Sequence, residues 1–118
     1  MAKQSDAFVL RKLRAAEGYL ELDMPDQALQ ELDQIEDPGP YELEEKRLRG
    51  EALKAQSKYE EAAEWLQQAA VMFPFPHGRQ VWQSLSECLR ETGRDSLADA
   101  AETNAALLEK AEKVLTDL

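Results

Sequence analysis

The chain has one cysteine, Cys88, in 118 residues, so no disulfide can form within it. A reducing, cytoplasmic compartment is the expected setting. It also has one histidine, His77, which stands in a proline-rich turn beside Gly78. His77 reads as a surface turn residue rather than a base, and His and Cys together are too few to ligate a metal. Glycine is scarce and forms no phosphate loop, since Arg49-Gly50-Glu51 sits mid-helix without the required pattern. Cations are in deficit: 14 Lys and Arg against 24 Asp and Glu leave a net charge of −10. A surface of that sign repels phosphate backbones, which excludes nucleic acid as a partner. Long apolar runs are absent, so no membrane span is expected. The first residues, Met-Ala-Lys-Gln-Ser-Asp, contain no apolar core of signal-peptide length.

What is present is helix-forming sequence. Hydrophobic residues make up 43% and charged residues 32%, a mix that fits a folded helical protein, and the length fits one domain over residues 1–118. Five prolines and five glycines fall mostly in clusters that punctuate the chain. Ser5 or Asp6 can cap a first helix to about Leu22, with Phe8, Val9, Leu13, Ala16 and Leu20 at helical spacing. Pro25 suits the start of a second helix, whose apolar face is Ala28, Leu29, Leu32 and Ile35, and which Asp37-Pro38-Gly39-Pro40 stops. A third helix spans about Tyr41 to Gln56. Ser57 is a plausible cap for a fourth, from about Lys58 to Phe73. A fifth runs from about Arg79 to Thr92 and ends at Gly93, and a sixth starts at Asp95 or Ser96 and runs on without a proline. No sustained period-two alternation marks a strand.

The helices repeat. Ala28 and Ala62, Leu32 and Leu66, and Pro40 and Pro74 each stand 34 residues apart. Ala98 follows Ala62, and Ala105 follows Ala69, at 36 residues, the two extra positions fitting the Phe75-Pro76-His77-Gly78 loop. Ala16, Gly50 and Ser86 share a register, as do Tyr19, Leu53 and Leu89. Small residues at one register let helix backbones approach, and large ones beside them fill the remaining space. A unit of this kind cannot bury its apolar face alone, so neighbours must stack.

This pattern resembles the tetratricopeptide repeat family over about residues 7–112. The second unit matches best, through Gly50, Tyr59-Glu60-Glu61-Ala62, Ala69 and Pro74. The third supplies Trp82, Leu85, Ser86, Leu89, Gly93, Ala98 and Ala105, and the first supplies Ala16, Tyr19, Ala28 and Pro40. Lys12 and Arg49 depart from the family, which has aromatic or large apolar residues there. The resemblance implies an all-α fold, a right-handed superhelix of three antiparallel helix pairs. The repeats would cover about residues 7–40, 41–76 and 77–118, the last including a C-terminal capping helix. It also implies a non-catalytic module that holds a protein or extended peptide; the alternative is a structural protein that self-assembles through its C-terminal helix or convex aromatics. No cofactor is expected, and the chain is expected to be a monomer or weak homodimer.

By register, the resemblance implies a groove lined by the first helix of each unit. Those residues are Leu10, Leu13, Arg14, Glu17, Leu20 and Glu21, then Glu44, Arg47, Leu48, Glu51, Lys54 and Ala55, then Gln80, Gln83, Ser84, Glu87, Arg90 and Glu91. Glu17, Glu51 and Glu87 share one register and should form a ladder. Either Arg14, Arg47, Lys54 and Arg90 neutralise it, at roughly 0–1 kcal/mol for each exposed pair, or it reads Lys, Arg or backbone amides of a peptide. The acid excess likewise allows a plain solvated surface or a basic partner. The Lys, Asn and Arg clamp with which some family members grip a C-terminal carboxylate is absent. Its places hold Leu13, Glu17, Leu48, Gln80 and Ser84.

Three further features admit two readings each. Leu107, Leu108, Ala111, Val114, Leu115 and Leu118, spaced along the last helix, suit either a cap over the stack or a dimer seam. Trp65, Phe73 and Phe75 either pack under the turn between the second and third units or form a convex contact. Cys88, near Leu85 and Leu89, reads as a buried small hydrophobe rather than a nucleophile.

Overall fold

The computed structural model describes residues 3–118. Met1 and Ala2, part of the stretch read for a signal peptide, lie outside them. The described residues form six α-helices and a short 3-10 turn, with no strand. The helices are α1 (Asp6–Glu21), α2 (Pro25–Leu32), α3 (Glu42–Ala55), α4 (Tyr59–Met72), α5 (Arg79–Glu91) and α6 (Asp95–Asp117). None is long and apolar enough to cross a membrane.

Ser5 caps α1, its side chain accepting a hydrogen bond from the Phe8 amide at 3.1 Å. Pro25 stands at the start of α2, where its missing N–H is not needed. That helix ends earlier than the Pro-Gly-Pro stop predicts, and Ile35 lies beyond it. The reason is a competing partner. Gln4 donates to the Gln34 carbonyl at 2.8 Å and accepts from the Glu36 amide at 2.9 Å, which ties this segment to the start of α1. Ile35 still packs on the core from its non-helical position.

The turns after α1, α3 and α5 are the same turn three times. Asp23, Ser57 and Gly93 take left-handed φ values of 57°, 62° and 76°. The next amide in each case reaches back to a carbonyl one helical turn earlier: Met24 to Tyr19 at 2.8 Å, Lys58 to Leu53 at 2.9 Å and Arg94 to Leu89 at 2.9 Å. This closure satisfies carbonyls that the helix end would leave open. It also corrects the role given to Ser57, which terminates α3 rather than capping α4; Lys58 holds the N-cap position, and no side chain bonds there. Serine tolerates the left-handed region poorly and glycine tolerates it well. Ser57→Gly is therefore expected to raise stability by about 0.5–1 kcal/mol, measurable as a higher urea midpoint at unchanged m-value.

Burial follows the repeat register. Ala28, Ala62 and Ala98 are all fully buried, as are Leu32 and Leu66, and Ala16, Gly50 and Ser86 are buried together. Consecutive helices pack on one another throughout, and α3 also touches α1 and α5, so these three lie side by side. The apolar interior forms two clusters. One joins Val9, Leu13, Ala16, Ala28 and Leu32 to Leu48 and Ala52 of α3. The other begins at Leu53 of α3 and runs through α4, α5 and α6. Burying each leucine contributes roughly 1.5–3 kcal/mol, and α3 feeds both clusters.

Arg49 replaces an apolar residue without leaving a hole. Its guanidinium lies 5.3 Å from the Trp65 ring and bonds to Asp33 at 2.7 Å and Glu45 at 2.8 Å. Burial pulls its pKa down, but these two carboxylates outweigh burial and hold it above the ordinary guanidinium value. Lys46, at 5.2 Å, also lies over Trp65. Trp65 and Phe73 are half-buried against the core, whereas Phe75 is exposed and does not pack under the turn. The last helix divides as well. Ala98, Ala101 and Ala105 are buried, but Leu107, Val114, Leu115 and Leu118 are exposed. At 23 residues α6 outruns the 13-residue α5, and its final turns pass beside the loop at Pro76 and His77.

Candidate functional site

The side-by-side arrangement of α1, α3 and α5 creates a cleft along their common face. Two adjoining cavities, of about 410 and 380 Å³, share Glu17, Arg47, Gln80 and Val81. The first is completed by Leu20 and Glu21 of α1, Leu48 and Glu51 of α3, and Ser84 of α5. The second is completed by Glu44, Phe73, Gly78 and Arg79, with Glu112 reaching in from α6. The lining contains five carboxylates and two guanidinium groups, so the cleft is acidic.

Arg47 is the central cation. It sits 2.8 Å from Glu44 and 3.5 Å from Glu17. Burial lowers its pKa, but hydrogen bonds and charge from Glu44, then from Glu17, hold it above its ordinary value. Arg47 is thus committed to two of the five carboxylates. Lys54 bonds Glu87 and feels the charge of Glu51; burial opposes its protonation, and these acids overcome it. The ladder of Glu17, Glu51 and Glu87 is accordingly neutralised at both ends, while Glu51 faces the cavity with no ion-pair partner among the described residues.

Several residues assigned to the groove by register lie elsewhere. Leu13 is buried in the N-terminal core and lines neither cavity. Leu48 is buried too, and only its edge forms cavity floor. Arg14 and Gln83 are exposed outside the cleft lining. Arg90 turns away to α6, bonding Asp99 at 3.0 Å and Glu102 at 2.7 Å, because those acids stand closer than the ladder does. Glu17, Leu20, Glu21, Arg47 and Glu51 do come together around the cavities. The register missed Phe73, Gly78, Arg79, Val81 and Glu112. Gly78 was the available signal: its φ is 100°, and a Cβ there would meet Phe73 at 2.8 Å, so the loop folds back on itself beside the cleft.

Cys88 is fully buried, and burial pushes its thiol up to about 11, with Lys54 opposing and Glu51, Glu87 and Glu91 adding to the rise. His77 is exposed in its turn, as the sequence reading placed it. Among the described residues, no three His, Cys, Asp or Glu side chains gather to hold a metal ion. No protein-family model, no curated protein and no solved structure matches the chain.

Proposed function

We propose that this chain is a tetratricopeptide-like array of three helix pairs in a right-handed superhelix, and that its cleft holds an extended peptide bearing Lys or Arg side chains. The observation that carries the reading is the charge imbalance of the cleft, where Arg47 is already paired with Glu44 and Glu17, and Glu21, Glu51 and Glu112 face the single further cation of the described lining, Arg79. An ammonium or guanidinium group placed among them would be attracted and would gain charge-assisted hydrogen bonds. Leu20, Val81 and Phe73 offer apolar contact to the stems of such side chains. Two adjoining cavities on one track suit a chain segment better than a compact small molecule. The shared burial register supports the superhelix. The role proposed is one of holding, with no chemical step.

The test is fluorescence anisotropy with extended peptides that differ only in the charge of two or three side chains. Lys- and Arg-bearing peptides are expected to bind, more weakly as salt rises. Glu51→Lys should weaken binding by about tenfold or more, while the melting temperature moves by only a few degrees, since such surface changes cost roughly 0.5 kcal/mol. Equal binding of acidic and basic peptides, or an unchanged affinity in Glu51→Lys, would remove the cleft from this role.

A further inference from the structure

Helix α6 carries two apolar stripes, and the fold uses one. Ala98, Ala101 and Ala105 are buried against the body of the protein, and Leu108 beside them is half-buried. The second stripe is Leu97, Ala100, Leu107, Ala111, Val114 and Leu118, with the polar Asn104 at the one remaining position, and its spacings alternate between three and four residues. A surface helix that needs only its own core has no use for this second seam. Its average period is 3.5, that of a helix paired with another helix. The seam is open: Leu107 is 58% exposed, Val114 61% and Leu118 95%. Beside it lies an open, largely apolar hollow of about 330 Å³ between Phe75, Trp82, Asn104, Leu107 and Leu108.

Charge identifies the partner helix. Lys110 and Asp117 stand seven residues apart on one flank of the seam. Two copies of α6 laid antiparallel about a point between Glu112 and Lys113 set Leu107 against Leu118 of the second copy and Ala111 against Val114. The same register brings Lys110 to Asp117 of the second copy, and the two-fold axis repeats each contact. A parallel pairing instead sets Lys110 beside Leu115 and leaves the charge unmatched. The antiparallel arrangement also keeps the two bodies apart, because α6 extends about 15 Å beyond the length of α5. We propose that the exposed face of α6 is an interface between two copies of this chain, paired antiparallel over residues 107–118. It uses a different face from the cleft and stands independently of peptide binding.

Sedimentation equilibrium from roughly 10 μM to 1 mM tests it. The mass is expected to rise from one chain toward two. Val114→Glu should stay monomeric throughout with an unchanged melting curve, because this exposed side chain contributes little to the fold. Lys110→Asp should weaken association by about tenfold, and adding Asp117→Lys should restore it. A wild-type chain that stays monomeric over the whole range overturns the proposal. So does a dimer indifferent to Val114→Glu or Lys110→Asp, or a charge swap that fails to rescue.

Discussion

Leu66→Ala is expected to lower stability by about 3–5 kcal/mol, and Gly50→Ala by about 1–3 kcal/mol, while the double variant loses less than the two together. Leu66 is fully buried on α4, and Gly50 is the point at which α3 comes closest to it. A Cβ on Gly50 would stand 2.6 Å from both Cγ and Cδ2 of Leu66 and 3.2 Å from its backbone nitrogen. The terminal methyl can swing aside, but Cγ and the backbone cannot move without shifting the helix. Alanine otherwise favours a helix over glycine by about 1 kcal/mol, so the steric term must exceed that gain for Gly50→Ala to destabilise. Once Leu66 is trimmed, the clash with its side chain is gone and the helical preference is left. In the Leu66→Ala background, Gly50→Ala is therefore expected to become neutral or stabilising. Urea denaturation of the four proteins in the cycle measures this. Additive losses would mean that the close approach is not what fixes glycine at this position.

The second large effect concerns the joint between the two apolar clusters. Leu48→Ala is expected to cost about 2–5 kcal/mol, but unevenly along the chain. Leu48 and Ala52 are the α3 residues that complete the N-terminal cluster, whereas Leu53, one residue on, belongs to the other. Stacked units are stabilised by their own packing plus the interface with the next unit. Emptying Leu48 weakens the interface on which α1 and α2 rest and leaves α4 to α6 nearly untouched. Hydrogen exchange should then show the amides of α1 and α2 losing protection well before those of α4 and α5. Uniform loss across all six helices would mean that the chain melts as one unit.

The helices were legible in the sequence because most of their ends carry local signals. Ser5, Pro25 and Gly93 act within a few residues of themselves, and all three stand where those signals put them. The repeat register was legible for a related reason: Ala16, Gly50 and Ser86 are small because another helix passes close by, and burial confirms the shared position. The early end of α2 was not legible, since it depends on Gln4, some 30 residues away in the chain. The same holds for Arg90. Its register is that of Lys54, yet its charge goes to the nearest acids, which only the packing of α6 determines. The cleft was half legible. Register placed Glu17, Arg47 and Glu51 on a common face, but Phe73 and Glu112 enter from a loop and from the last helix, outside any repeat position.

Cys88 has a consequence beyond its place in the core. It is the sole thiol, it is fully enclosed, and burial pushes its pKa up to about 11. An alkylating reagent can meet it as thiolate only when the α4–α6 end of the protein comes apart, and the N-terminal cluster has no competing sulfur of this kind. The unmodified chain thus contains its own clock: the pace of covalent labelling at one atom reads how often that end opens, with no cysteine introduced.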